Sequence, residues 1–266
     1  MRITKVQKIA TAQIASAPEG LVRYDYESDL DHHPDWALLC PPAQNEALWL
    51  VMIHGHGSHG DQLYTRPDLR DQWLPHFRRL GLGLLTPNLR DHAWMGPAAA
   101  HDLHDLLVFV RGECGARQFL FASGSMGGTS NLIYAVLHPQ DVAGVVALCP
   151  ATDLTSYYAW CRERNAGVIK EIADAIERSY GGPPAAQPKT YEAHSALKNA
   201  GSLTMPVYIA HGAADATIPV SQSRRLAAAM ADAKNFTYVE LPDGHHDSPL
   251  PLAPEAVDRI LRYITR

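Results

Sequence analysis

The chain has 266 residues, of which 46% are hydrophobic and 19% charged, and its formal net charge is −5. This composition excludes an intrinsically disordered chain, and a folded chain of this length buries about 70 to 75% of its unfolded surface without help from disulfides or metals. The chain has no block of like charges, which argues against nucleic-acid binding.

Short apolar runs alternate with longer segments of helical period from about residue 47 onward. Gly, Pro or Asp bounds each run, as is typical of buried parallel strands. The predicted strands are 47–54, 82–86, 118–123, 142–149, 206–211 and 236–241, and the predicted helices are 69–80, 98–111, 126–138, 220–233 and 253–265. Two earlier runs, 22–27 and 36–40, predict an antiparallel leading edge. The pattern predicts an α/β fold, with a mostly parallel central sheet and helices on both faces.

The alternation stops between residues 151 and 204, where no clear strand is found. Helical stretches at 155–164, 166–179 and 191–199 fill most of this interval. We interpret 151–204 as a small helical insertion that forms a partial cap. The chain has no repeat and no low-complexity tract, so we expect a single domain over residues 1–266.

The apolar runs are too short to predict a secretion signal or a membrane-spanning helix. The four cysteines are far apart and include no C-x-x-C pair; they are Cys40, Cys114, Cys149 and Cys161. This usage is typical of reduced, buried thiols. We therefore expect a cytoplasmic protein with no membrane partner.

A tight turn centred on Ser125 follows the predicted strand 118–123 and precedes a helix. A serine at the apex of a strand–turn–helix unit is exposed on a strained backbone, and the turn needs small residues two positions before and after it. Gly127 meets this need, but Ser123 replaces the first glycine of the G-x-S-x-G pattern. The alternatives are a turn without chemistry and a phosphate-binding loop. No Lys precedes the serine, which argues against a Walker-type loop.

The loops after two later strands supply an acid and a base. Asp215 follows strand 206–211, and His245 and His246 follow strand 236–241. A serine hydroxyl is a poor nucleophile at neutral pH, so it needs an imidazole base that is itself oriented by a carboxylate. The chain order Ser, Asp, His matches that of the α/β-hydrolase constellation.

Two further segments follow strands, His54-Gly55-His56-Gly57 and Asn88-Leu89-Arg90-Asp91. Together with the serine turn and the two later loops, these segments resemble those of α/β-hydrolases. Within that fold, the chain resembles the group of serine esterases similar to dienelactone hydrolase and prolyl oligopeptidase. The matching segments span residues 47–250.

This resemblance implies that Ser125 is the nucleophile, Asp215 the orienting acid and His245 the base, since the family pattern has its histidine directly after glycine. His246 remains the alternative base. Asp153, after strand 142–149, is the competing acid, but we expect its carboxylate to cap the helix that begins at Leu154.

The tetrahedral intermediate of ester hydrolysis needs backbone donors aimed at its oxyanion. The N–H of Met126 lies at a helix N-terminus, where the helix dipole favours negative charge. The loop after strand 47–54 is expected to supply a second donor, the N–H of His56, because Gly55 and Gly57 let the backbone approach the substrate.

Two other functions remain open. His54, His56 and His59 approximate the H-x-H-x-D-H signature of metal-dependent hydrolases, although Ser58 stands in the place of the acid. The fold is also used by non-catalytic binding proteins. We expect the serine mechanism instead, with neither a metal nor a cofactor.

We expect the substrate to be a small ester rather than a peptide, because 266 residues leave no room for a separate gating domain. Trp94, Tyr158 and Trp160 are candidate substrate-binding residues that would stack on a sugar ring. For the two aromatic residues of the insertion, the alternative is that they form its core. An acylated carbohydrate is the first candidate substrate, followed by an aryl ester or a lactone. The sequence does not predict the oligomeric state.

Overall fold

A computed structural model describes residues 1–10, 13–42 and 47–264. The strands are β1 (Arg2–Lys8), β2 (Val22–Glu27), β3 (Pro34–Cys40), β4 (Leu48–Val51), β5 (Gly83–Pro87), β6 (Gln118–Gly124), β7 (Val142–Leu148), β8 (Val207–Gly212) and β9 (Phe236–Leu241). The helices are α1 (Gln62–Thr65), α2 (Leu74–Arg79), α3 (Pro97–Cys114), α4 (Met126–Leu137), α5 (Leu154–Arg164), α6 (Gly167–Ser179), α7 (Pro188–Ala193), α8 (Ser221–Ala229) and α9 (Ala253–Ile264), with a π-helical turn at Leu69–Trp73.

The strands form one sheet in the order β1-β2-β3-β5-β4-β6-β7-β8-β9. The β1–β2, β2–β3 and β3–β5 pairs are antiparallel and all the other pairs are parallel. This confirms the predicted mostly parallel sheet with an antiparallel leading edge. The sequence reading missed β1, because this edge strand is largely exposed and has few apolar residues.

Side chains alternate between the two faces of the sheet and build a core on each side. In β4, Trp49 and Val51 face the core that also contains apolar residues of α3 and α4. Leu50 and Met52 face the opposite core, to which α2 and α9 contribute. Because β4 to β9 run parallel to one another, their carboxyl ends lie at the same edge of the sheet. In open α/β sheets, ligands bind at this edge.

Two predicted helices differ in detail from the structure. The helix predicted over 69–80 is divided into the π-helical turn and α2, with Pro75 in the first turn of α2. The third helix of the predicted insertion begins earlier than expected, at Pro188, because proline suits the first position of a helix. Residues 151–204 therefore contain α5, α6 and α7, and their role as a partial cap remains a prediction.

All four cysteines are unpaired, and Cys40, Cys149 and Cys161 are buried, as expected from their apolar surroundings. Over residues 1–10, 13–42 and 47–264, none of the helices combines the length and the hydropathy needed to span a membrane.

Candidate active site

Ser125 occupies a strained turn between β6 and α4. Its φ of 57° and ψ of −127° lie outside the regions that non-glycine residues normally adopt. A Cβ atom at Gly127 would collide with the carbonyl oxygen of Ile53, so only glycine fits two residues after the serine. This geometry is that of the predicted nucleophile turn, and strain of this kind is concentrated at functional sites.

Ser123, which departs from the G-x-S-x-G pattern, is fully buried. Its hydroxyl accepts a hydrogen bond from the N–H of Ile53 at 2.9 Å and lies 3.3 Å from the side-chain oxygen of Asn131. The additional side chain is therefore accommodated by hydrogen bonds rather than crowding the turn. It links the end of β4 to β6 and α4.

His246, and not His245, connects Ser125 to Asp215. Its Nδ1 lies 2.7 Å from Oδ2 of Asp215, and its Nε2 lies 2.8 Å from Oγ of Ser125. The ring of His245 is exposed, with Nδ1 3.4 Å from the carbonyl oxygen of Ala214. The choice of His245 is therefore corrected to His246, the alternative left open by the sequence.

Backbone packing explains this one-residue difference. Gly244 lies so close to Gly212 that a Cβ atom on Gly212 would collide with the carbonyl oxygens of Gly244 and His245. The thiol of Cys149 donates a hydrogen bond to the carbonyl oxygen of His246 at 2.9 Å. These contacts fix the loop so that the His245 ring faces solvent and the His246 ring faces Ser125.

Asp215 is buried and accepts hydrogen bonds at both carboxylate oxygens. Oδ1 accepts from the backbone N–H groups of Thr217 and Ile218 at 2.8 and 2.9 Å. Oδ2 faces His246 and also lies 3.2 Å from Nε2 of His211. Burial alone would raise the pKa of Asp215, but the hydrogen bonds from His211, His246 and Ile218 outweigh it and hold the pKa well below its usual range. The carboxylate is therefore ionised at neutral pH.

His211 contacts the carboxylate of Asp215 in addition to His246. The sequence analysis did not identify this histidine as a site residue. It is fully buried at the end of β8, with Nδ1 2.7 Å from Oγ of Ser223 and Nε2 2.9 Å from the carbonyl oxygen of Ile218. The available signal was a histidine at a strand end, four residues before the acid. Its position keeps a second imidazole against the same carboxylate.

Asp153 does not contact this constellation. It precedes α5 as predicted, but its side chain does not cap the helix. Instead, its carboxylate accepts a hydrogen bond from Ser195 at 3.2 Å and lies 3.6 Å from the guanidinium group of Arg225. The predicted cap is therefore wrong, because partners from the following segments bind the carboxylate.

In the turn after β4, the N–H groups on either side of His56 have acceptors within the chain. The N–H of Gly55 donates to Oε1 of Gln62 at 2.9 Å, and the N–H of Gly57 donates to Nε2 of His92 at 3.0 Å. Within the described part of the chain, the N–H groups of His56 and Met126 have no hydrogen-bond partner. The structure thus leaves available the two donors predicted for the oxyanion. The sequence reading missed Gln62, whose spacing from Gly55 carries no recognisable motif.

The three histidines of the metal hypothesis do not direct their ring nitrogens to a common point. Both ring nitrogens of His54 lie 2.9 Å from backbone carbonyl oxygens. Nδ1 of His56 accepts a hydrogen bond from the indole N–H of Trp94 at 3.3 Å. His59 pairs with Asp91 at 3.2 Å. These contacts hold the loop together, so the geometry does not support a metal centre built from these residues.

The three predicted substrate-binding aromatic residues do not line the cavity that contains Ser125. Trp94 is only 1% exposed and packs in the core against Tyr157. Tyr158 is half-buried and hydrogen-bonded to Glu177 and Arg162, while Trp160 lies under the guanidinium group of Arg164 at 3.8 Å. This arrangement corresponds to the alternative interpretation, in which the aromatic cluster forms the core of the insertion.

The loop after β5 has an unusual backbone and contacts the turn after β4 that contains His56. Five of its non-glycine residues have φ between 46° and 57°, namely Leu89, Arg90, Asp91, Trp94 and Met95. Such left-handed conformations cost roughly 1 kcal/mol or more for each residue, so other contacts must stabilise the loop.

Elements on both sides hold this loop. Asp35 accepts a hydrogen bond from the backbone N–H of Arg90 at 2.6 Å, and the Arg90 guanidinium group pairs with the buried Asp102. After α6, the hydroxyl of Tyr180 lies 3.2 and 3.3 Å from the carbonyl oxygens of Trp94 and Met95. The segment 151–204 therefore stabilises the loop that contacts His56.

Comparison with known proteins identifies the family and the fold. A family model described as BD-FAE matches residues 38–230. No curated protein matches the sequence. At 12 to 17% identity, the structural likenesses that follow show the fold alone.

Three solved structures illustrate the likeness. The serine hydrolase FphF of Staphylococcus aureus has a TM-score of 0.69 at 12% identity, over 94% of this chain and 100% of its own. Est1E from Butyrivibrio proteoclasticus has a TM-score of 0.67 at 17% identity, over 91% of this chain and 98% of its own. An acetyl xylan esterase from Paenibacillus sp. R4 has a TM-score of 0.68 at 17% identity, over 98% of this chain and 87% of its own. With the family match extending over most of its length, the chain belongs to the BD-FAE family and has the α/β-hydrolase fold.

Proposed function

We propose that the protein is a serine-dependent carboxylic ester hydrolase that works through an acyl-enzyme. The observation that carries this proposal is the continuous line of hydrogen bonds from Asp215 through His246 to Ser125, with separations of 2.7 and 2.8 Å. A hydroxyl, an imidazole and an ionised carboxylate in this order are the parts that nucleophilic acyl transfer requires.

In the first half of the reaction, Oγ of Ser125 attacks the ester carbonyl carbon while Nε2 of His246 takes the hydroxyl proton. Asp215 holds the proton of Nδ1, which fixes the tautomer and stabilises the imidazolium that forms. The N–H groups of His56 and Met126 donate to the oxyanion. His246 then returns its proton to the leaving alcohol, and the acyl group remains on Ser125.

In the second half, His246 deprotonates a water molecule that attacks the acyl-enzyme. The same two N–H groups stabilise the second oxyanion, and the carboxylic acid leaves as the proton returns to Ser125. All of these steps use groups of this chain and water.

We further propose a small-molecule ester as the substrate, with an acylated carbohydrate as the first class to test. The Paenibacillus neighbour is an acetyl xylan esterase, which supports this choice. We also propose that residues 151–204 form a partial cap beside the site, because this segment contacts the loop that in turn contacts His56.

Reaction with ethyl p-nitrophenyl methylphosphonate tests the mechanism. Attack by Ser125 forms an Oγ–P bond and releases one p-nitrophenol for each active site. We expect an intact-mass increase located at Ser125, no increase in Ser125→Ala, and loss of ester hydrolysis in parallel. An unlabelled, correctly folded wild-type protein would favour the non-catalytic binding function instead.

A further inference from the structure

A small cavity opens directly beside the proposed nucleophile. Ser125 and His246 form one side of it, together with Gly55, Gln62 and Gly124. Its other walls are mainly apolar and are formed by Met52, Leu69, Trp73 and Leu250. The open volume is about 30 Å³, far below the roughly 300 to 1,000 Å³ of ordinary ligand pockets. A group that enters this space is therefore about the size of a methyl or an ethyl group.

The π-helical turn Leu69–Trp73 forms the far wall of the cavity. Wider turns of this kind often occur at functional sites, because they change the direction in which side chains point. The carboxylate of Asp68 accepts a hydrogen bond from the N–H of Leu69 at 3.0 Å and fixes the start of the turn. Both Leu69 and Trp73, at its two ends, line the cavity.

Hydrogen bonding and close packing keep this wall in place. The indole N–H of Trp73 donates to the carbonyl oxygen of Leu250 at 2.9 Å, so the two walls are joined. A Cβ atom on Gly124 would lie only 2.8 Å from Cδ2 of Leu250, which places that leucine against the backbone next to Ser125. The cavity is therefore bounded by packed side chains and backbone, and enlarging it requires removal of atoms.

An ion pair borders the same cavity on its polar side. Arg66 binds Asp68 through two hydrogen bonds at 2.8 and 2.9 Å, and its guanidinium group also lies 3.0 Å from Asp247. Arg66 and Asp247 both line the cavity. A long alkyl chain leaving the cavity on this side would therefore meet charged, hydrated groups rather than an apolar surface.

We propose that this cavity is the acyl subsite and that it admits acyl chains of about two or three carbons, with Leu69, Trp73 and Leu250 setting the limit. This inference rests on the proposed function and specifies its substrate class as esters of short carboxylic acids. An alcohol as large and polar as a sugar does not suit a small apolar cavity, so the alcohol part lies on the open side of Ser125 and leaves to solvent.

The test compares p-nitrophenyl acetate, butyrate and hexanoate in the wild type and in Leu69→Ala and Leu250→Ala. We expect kcat/KM for hexanoate to be at least about tenfold below that for acetate in the wild type, since overpacking is destabilising. Each variant should raise the hexanoate-to-acetate ratio by about tenfold, because it removes atoms that exclude the longer chain. This ratio does not depend on the fraction of each variant that folds. Val108→Ala, an equally apolar change at an exposed position of α3, is the matched control and should keep the wild-type ratio.

A second series holds the acyl group as acetyl and lengthens the alcohol from ethyl to hexyl. We expect little change in kcat/KM along this series. Equal hydrolysis of acetate and hexanoate by the wild type, or an unchanged ratio in both variants, would overturn the acyl assignment. So would a chain-length limit in the alcohol series alone. Normal labelling of Ser125 by the methylphosphonate in those cases would show that only the subsite inference fails, whereas absent labelling would show that the hydrolase mechanism fails.

Discussion

Two loops at the same edge of the sheet are rich in histidine, and they use it differently. In the loop after β4, the rings of His54, His56 and His59 face backbone carbonyl oxygens, an indole N–H and a carboxylate. In the loop after β9, the ring of His246 lies between a hydroxyl and a carboxylate. The first loop uses imidazole to hold its own shape, and the second presents imidazole to Ser125, the proposed nucleophile.

The contrast shows that the number of histidines near a site says little about chemistry. The partners of both ring nitrogens decide the role. Burial lowers the pKa of His56 to about 4, so this ring stays neutral and accepts the Trp94 hydrogen bond. His246 instead has an ionised acid at Nδ1, which stabilises the positive charge that a general base acquires.

The largest expected effect is the difference in activity between substitutions of the two adjacent histidines after β9. His246→Ala should lower kcat/KM for p-nitrophenyl acetate by at least about 10³-fold, because the serine loses its base. His245→Ala is the matched control and should stay within about twofold of the wild type, since its ring is exposed. The reverse result would place the catalytic base at His245 and contradict the role assigned to the β9 loop.

A smaller effect is expected where the β4 loop meets the site. Gln62→Met keeps the side-chain size but leaves the N–H of Gly55 without its acceptor, so the turn that presents the His56 N–H loses an anchor. We expect kcat to fall roughly tenfold, because an oxyanion donor is displaced, with a smaller change in KM. Gln140→Met, at an exposed position, is the control. Equal activity of the two variants would show that this loop tolerates loss of its anchor.

The smallest effect concerns stability and pH. The pKa of His56 is about 4 in the folded protein and 6.5 ordinarily, so the unfolded chain binds more protons between these values. The free energy of unfolding should therefore fall as the pH is lowered from 7 toward 4. Urea unfolding at pH 7 and pH 5 measures how much the free energy of unfolding falls between these two pH values. In His56→Gln this fall should be smaller than in the wild type by about 1 kcal/mol, a value reduced for partial exposure of the ring. Identical pH slopes in the two proteins would contradict the sign of this effect.

Much of the fold could be predicted from the sequence, because buried strands leave short apolar runs and chain order places their loops at one edge. Ser125 and Asp215 were identifiable in this way, since each lies in the loop that follows a strand. β1 was not, because an exposed edge strand has little apolar signal. The division of the 69–80 helix at its π-helical turn also has no periodic signature.

The remaining differences depend on contacts between distant segments. The choice between His245 and His246 depends on the approach of Gly244 to Gly212, which belong to different strand ends. Trp94 appeared suited to binding a sugar, but its side chain is enclosed by the core that includes Tyr157. Asp153 looked like a helix cap, but Ser195 and Arg225 bind its carboxylate. Such competition between partners cannot be deduced from local sequence.

The left-handed stretch after β5 limits how this protein could be redesigned for bulkier esters. Deleting residues 151–204 would remove the Tyr180 hydroxyl beside the carbonyl oxygens of Trp94 and Met95, and the freed loop would relax toward ordinary backbone angles. Because Trp94 donates to His56, that relaxation would reach the turn that carries the proposed oxyanion donor. Access is therefore better widened by single substitutions than by truncation, and any minimal version of the scaffold should retain Tyr180.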